Sequence, residues 1–155
     1  MTSSAPIIER FRARGLSLGT AESCTGGLLA AALTDVPGAS EVFRGGIVAY
    51  HNDVKQALLR VDPEILATHG AVSRETAEAM ASCALKVLEV DVAVAITGVA
   101  GPGGGSPEKP VGLVYIAVAG PESTFVTRNV FEGDRDSVRR QSVSRSLELL
   151  MEQLS

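Results

Sequence analysis

Ala21-Glu22-Ser23-Cys24-Thr25-Gly26-Gly27 joins a short apolar strand, Leu16 to Thr20, to an Ala/Leu-rich helical run, Leu28 to Leu33. The pattern thus changes from strand to helix within one short turn, and a hydroxyl and a thiol sit side by side where the helix begins. Unpaired backbone N–H groups and the positive end of the helix dipole converge at such a point and would stabilise a developing anion. Two glycines let a substrate approach the backbone closely. A nucleophile beside ready-made oxyanion donors is what acyl transfer requires. The same residues also fit a simpler role, with Ser23 or Thr25 serving only as the helix N-cap.

Outward from this turn, strands and helices alternate. Residues from about Ser4 to Arg14 form a short helix with Ile7, Ile8 and Phe11 on one side, ahead of the Leu16–Thr20 strand and the Thr25–Leu33 helix. Val42 to Tyr50 reads as a strand interrupted by Gly45-Gly46, which suggests a bulge or a close backbone approach. Asn52 or Asp53 caps a helix running to Leu59, and Asp62-Pro63 opens another. Ser73 caps a long helix whose apolar positions Ala77, Met80, Ala84, Leu85 and Leu88 recur at helical spacing. Val92 to Ile96 is a buried strand, and Val111 to Ala119 is the candidate central strand. Ser123 to Phe131 runs antiparallel to it, because Gly120-Pro121 is too short for a crossover. A last helix from about Asp134 to Gln153 carries Val143, Leu147, Leu150 and Leu154 on one stripe. The expected fold is α/β, a mixed sheet of about five strands with helices on both faces.

The 155 residues suit one domain, taken as 1–155, that buries roughly 70% of its unfolded surface. The chain is 45% hydrophobic and 21% charged, which favours a globular fold over disorder. A net charge of -4 argues against broad nucleic-acid binding. No apolar run reaches membrane-spanning length, and the N-terminus lacks a signal-peptide core. Cys24 and Cys83 make neither a disulfide framework nor a metal-ligand spacing, so a soluble, reduced, cytoplasmic protein is expected. No metal and no redox cofactor are expected, since His51 and His69 sit in no ligand-spaced cluster.

Three further features carry chemistry. The segment Thr97-Gly98-Val99-Ala100-Gly101-Pro102-Gly103-Gly104-Gly105-Ser106-Pro107 follows a buried strand and could offer successive N–H groups to a phosphate or an oxyanion. It starts at a strand's carboxyl end, where ligands of α/β sheets gather. A flexible connector fits the same residues, and no Walker or dinucleotide motif is present. Lys55, near the start of a helix after Tyr50-His51-Asn52, is either a solvated surface residue or a desolvated neutral amine acting as base to a serine. Arg135 and Arg139 share one face of the last helix, where Arg135 opposes the dipole unless an anion, or Asp134 and Asp136, offsets it.

Together AESCTGG, FRGGIVAY followed by Lys55, HGAVS at His69 to Ser73, ITGVAGPGGG with KPVG, and GDR with Arg139 resemble, in this order, the CinA C-terminal domain family. That family includes the nicotinamide mononucleotide (NMN) amidases, and the resemblance runs from about Leu16 to Leu150. It implies a three-layer α/β/α sandwich similar to anticodon-binding-like domains, and hydrolysis of NMN to nicotinate mononucleotide and ammonia without a cofactor. By that resemblance Ser23 matches the nucleophile, Lys55 the general base and Tyr50 a position lining the site. Thr97, Gly98 and the glycines after them, Gly101 and Gly103 included, match the substrate loop, and Arg135 matches the arginine of GDR. Backbone N–H groups of Thr25, Gly26 and Gly27, or of the glycine loop, would hold the oxyanion. Many relatives carry an N-terminal molybdopterin-binding-like domain, for which this chain has no room. Activity resembling that domain's is therefore expected to be absent.

Two other classes compete with the amidase. One is a non-catalytic nucleotide-binding or interaction module, which an exposed, protonated Lys55 would favour. The other is a cysteine enzyme using Cys24, whose thiol at a helix N-terminus could have a lowered pKa. The expected partner is a small nucleotide, with no nucleic acid and no membrane, in a homo-oligomer.

Overall fold

The computed structural model describes residues 2–154. The elements run α1 (Ala5–Arg14), β1 (Leu18–Glu22), α2 (Leu28–Thr34), β2 (Phe43–Val48), α3 (Asn52–Ala57), α4 (Pro63–His69), α5 (Arg74–Val87), β3 (Val92–Gly98), β4 (Leu113–Ala119), β5 (Thr124–Val130) and α6 (Arg135–Gln153), with a 3-10 turn at Ala39–Glu41 before β2. The five strands form one mixed sheet in the order β2-β1-β3-β4-β5. β1 lies parallel to β2 and β3, whereas β4 is antiparallel to β3 and β5.

Period-two alternation in the central strands builds two unlike faces. Val92, Val94 and Ile96 of β3 and Val114, Ile116 and Val118 of β4 join a core with Ile7, Ile8 and Phe11 of α1, Leu29 and Leu33 of α2, and Leu147 and Leu150 of α6. Each such side chain contributes roughly 1.5–3 kcal/mol by leaving water. The opposite face presents Ala93, Ala95, Ala117 and Ala119 to Ala77, Met80, Ala81 and Ala84 of α5. Small residues on both sides let α5 lie close to the sheet, because packing distance follows side-chain size. The result is a three-layer α/β/α sandwich.

Several boundaries differ from those expected. β1 starts at Leu18, not Leu16, and runs on through Glu22, so a carboxylate lies inside at the strand's end. The Val111–Ala119 segment supplies β4 (Leu113–Ala119), an interior strand paired with β3 and β5 as expected, and β3 holds the middle of the five. α3 is capped by His51, whose Nδ1 accepts from Asp53 N–H, rather than by Asn52 or Asp53. The expected irregularity at Gly45-Gly46 is present. Leu18 pairs with Phe43 but Gly19 with Gly45, and a Cβ on Gly46 would overlap the Thr20 hydroxyl. Asp62 and Ser73 cap α4 and α5 as expected.

The topology places the site. β1, β2 and β3 are parallel, so their carboxyl ends share one edge of the sheet. Antiparallel pairing puts the start of β4 and the end of β5 at that same edge. The Ser23 turn, the Tyr50–Lys55 segment, the glycine loop and the first turn of α6 therefore converge. Among the described residues, no helix is long and apolar enough to cross a membrane.

Candidate active site

The nucleophile turn is organised by a residue that sequence reasoning passed over. Glu22 is 1% exposed, and its carboxylate accepts from Thr25 Oγ1 at 2.6 Å, Leu29 N–H at 2.9 Å and Ala30 N–H at 3.0 Å. Glu22 is thus the acceptor at the N-terminus of α2, a role expected of Ser23 or Thr25. The amides it occupies are those of Leu29 and Ala30, while of the amides expected to face an oxyanion Gly26 N–H donates to Ser23 O at 3.1 Å. Gly26 and Gly27 have φ of +59° and +105°, a conformation that glycine adopts without strain, and they swing the chain from strand into helix. The available signal for Glu22 was a lone acid at the strand's end, just ahead of a helix rich in alanine.

This turn leaves Ser23 with a fixed backbone and a hydroxyl that is not spent on capping α2. Its N–H donates to the Ile96 carbonyl of β3 at 3.0 Å, and its carbonyl accepts from Gly26 N–H at 3.1 Å. The side chain faces Lys55, whose Nζ lies 3.1 Å from Ser23 Oγ. Lys55 is 1% exposed, and its amine also donates to the carbonyls of Ala49 at 2.9 Å and Tyr50 at 3.2 Å. Burial lowers its pKa from the ordinary 10.5, because charge is disfavoured away from water. A neutral amine has two N–H donors and one lone pair. In that form the two carbonyls take both donors and the lone pair faces the serine O–H, whereas in the ammonium form the third N–H donates to Ser23 Oγ.

A cleft of about 200 Å³ opens over this pair, lined by Ser23, Cys24, Tyr50, Lys55 and Thr97 together with Gly98 and Ala100 of the glycine loop and Arg135 of α6. Ala71 and Val72, from the HGAVS segment, close the opposite wall. Thr97 is 1% exposed and donates its hydroxyl proton to Ala71 O at 2.7 Å. Arg135 donates to Gly101 O at 2.7 Å and to Tyr50 Oη at 3.0 Å, so it is not held by Asp134 or Asp136. Those acids serve elsewhere: Asp134 caps α6, and Asp136 pairs with Arg140 at 2.8 Å. Arg139 points inward and donates to the carbonyls of Cys24 and Thr25, both at 3.1 Å.

Of the expected site residues, Ser23, Lys55, Tyr50, Thr97, Gly98 and Arg135 line one cleft. Thr25, Gly26 and Gly27 lie behind the nucleophile instead, with Thr25 fully buried against Glu22. Gly101 touches the site only through its carbonyl on Arg135, and Gly103 is exposed with open space around it. The thiol alternative meets an unfavourable environment: burial, with the Glu22 charge assisting, raises the Cys24 pKa to about 11 against the pull of Arg139. His51 is exposed, and His69 faces Glu75 at 3.5 Å near the end of α4. Among the described residues, no three His, Cys, Asp or Glu side chains are grouped to hold a metal ion.

Comparison with known proteins agrees with this architecture. The family model described as the CinA C-terminal domain matches residues 2–154. The chain is 54% identical over 142 residues to a CinA-like protein of Mycolicibacterium gilvum, a match covering 91% of this chain and 34% of that protein. It therefore spans about a third of the length of the curated relatives that it matches. The crystal structure of the competence/damage inducible protein CihA from Agrobacterium tumefaciens superposes with a TM-score of 0.96 at 45% identity, covering 98% of this chain and 93% of that one. A CinA superfamily protein from Klebsiella pneumoniae gives a TM-score of 0.94 at 36% identity, covering 97% and 94%. By sequence along nearly its whole described length and by fold, the chain belongs to the CinA C-terminal domain family.

Proposed function

We propose that the chain is an amidohydrolase that deamidates NMN to nicotinate mononucleotide and ammonia, with Ser23 as nucleophile and Lys55 as general base. The observation that carries this reading is the buried Lys55 amine 3.1 Å from Ser23 Oγ, with two carbonyls orienting its remaining hydrogens. Lys55 accepts the Ser23 proton as the oxygen attacks the carboxamide carbon. The C–N bond then breaks as the resulting ammonium returns that proton to the departing nitrogen, and ammonia leaves. Water, deprotonated by Lys55, hydrolyses the acyl-serine ester and restores the enzyme.

The surroundings suit a carboxamide on a larger anionic molecule. Thr97 has committed its proton to Ala71, so its lone pairs are what it offers to an amide N–H. The cleft of about 200 Å³ is below the roughly 300–1,000 Å³ typical of pockets that enclose a whole ligand. It suits the reacting ring and carboxamide, with ribose and phosphate extending over the rim. Arg135, exposed at that rim, is the cation closest to hand for the phosphate. Burial of Lys55 supports catalysis over a binding module, and the raised Cys24 pKa supports Ser23 over the thiol.

The test is ammonia release from NMN by the metal-free protein, with Ser23→Ala and Lys55→Ala alongside. Turnover lost in both folded variants supports the dyad. Activity that survives Ser23→Ala moves the nucleophile elsewhere, and saturable NMN binding without turnover in the parent protein overturns the amidase reading.

A further inference from the structure

We infer that Glu22 and Arg139 are positioning residues that brace the nucleophile turn, one through its donors and the other through its carbonyls, and thereby set the direction of the Ser23 hydroxyl. The inference rests on the reading of Ser23 as nucleophile.

From the sheet side, the buried Glu22 carboxylate ties Thr25 to the first turn of α2 through three hydrogen bonds. Each donor is a different group on one short segment, so the carboxylate fixes the distance between the turn and the helix that follows it. The helix N-terminus favours that negative charge.

From α6, Arg139 reaches the same turn with Nε on Cys24 O and Nη2 on Thr25 O. These two donors lie on one edge of a rigid planar fork, so they hold two successive carbonyls at a fixed spacing. Among the described residues, Arg139 has no carboxylate partner in an ion pair, unlike Arg140 and Arg145 of the same helix, which pair with Asp136 and with Glu148 and Glu152. Its charge is directed wholly at the turn. Ser23 immediately precedes the anchored carbonyls, and its own backbone is tied to Ile96 and Gly26. The positive-φ glycine pair within the turn has no side chains to restrain it, and the brace supplies the missing restraint.

Arg135, one helical turn earlier, holds the glycine loop and Tyr50. A single helix end thus aligns the nucleophile turn against the opposite wall of the cleft.

The experiment compares the parent with Arg139→Lys, Glu22→Gln and, as a control on the solvated face of α6, Arg140→Lys. Lysine keeps the charge but loses the fork, and glutamine keeps the shape but sets an N–H donor against one of the three donors that the carboxylate satisfied. Amide hydrogen exchange over residues 23–28 is expected to accelerate about tenfold or more in the two brace variants while exchange in β3 and α5 stays as in the parent. For NMN hydrolysis, kcat is expected to fall roughly ten- to a hundredfold with KM within about twofold, since misplacement of a reacting group by about 1 Å costs on that order. The control is expected to match the parent in both readouts. Parent-like exchange in both brace variants overturns the inference, as does accelerated exchange with parental kcat. Accelerated exchange in the two brace variants, with no NMN hydrolysis by any variant or by the parent, supports the brace and removes only the amidase reading.

Discussion

The protonation state of Lys55 yields the most demanding prediction. A lysine at its ordinary value of 10.5 is neutral in about one molecule per thousand near pH 7.5, equivalent to about 4 kcal/mol against the form that can accept the serine proton. Burial works against that handicap, because the amine is 1% exposed and the nearest counter-charge effect comes from a thiol, Cys24, that is itself held up to about 11. Near neutral pH that thiol is protonated and offers the ammonium no anion. The pKa of Lys55 therefore lies below 10.5, and kcat/KM for NMN should rise tenfold per pH unit along an acid limb and level off once the amine is neutral. The assay is ammonia release from about pH 6 to 10.5, with Lys55→Ala alongside. A midpoint at or above 10.5, or the same limb persisting in Lys55→Ala, would refute the reasoning. The linked effect on folding has a definite sign. The native state binds fewer protons than the unfolded chain between the lowered value and 10.5. The Lys55 contribution to stability is therefore fully present above 10.5, declines as pH falls through that window, and changes no further below the folded value. Urea midpoints of the parent and Lys55→Ala across that window measure the difference.

Two further substitutions separate chemistry from packing. Cys24→Ala should retain at least half of the parent's turnover at a stability cost of about 1 kcal/mol, and iodoacetamide near neutral pH should leave the parent active, because the thiol is protonated and buried; loss of turnover in either experiment would return Cys24 to the mechanism. Thr20 lies on β1 under α2 with a buried hydroxyl that has no hydrogen-bond partner among the described residues. Thr20→Val should stabilise the fold by about 1 kcal/mol, raising Tm by roughly 2–4 °C without changing kcat, and a lowered Tm would mean that crowding against Gly46 outweighs the orphan hydroxyl.

What the sequence determined by itself was local. The strand–turn–helix around Ser23, the caps at Asp62 and Ser73, the alternation of Val92–Ile96 and the stripe of the last helix are all written within a few residues, where backbone preference and hydrophobic period act. The ordered motifs also sufficed to identify the family, and with it the residues to watch. The rest depended on groups that meet only after the chain has folded. Ser23 and Lys55 are 32 residues apart, and Arg139 reaches carbonyls 115 and 114 residues before it. No local window carries such distances; they follow from strand order, from parallel pairing that brings three carboxyl ends to one edge, and from α6 packing back across them. Arg135 and Arg139, equivalent by spacing on one helix face, were separated in role by what each met across the cleft. Glu22 illustrates the division most directly. Its position at the end of β1 was legible, but only the tertiary structure buried its carboxylate, because a charge enters the interior only where several donors already converge to receive it.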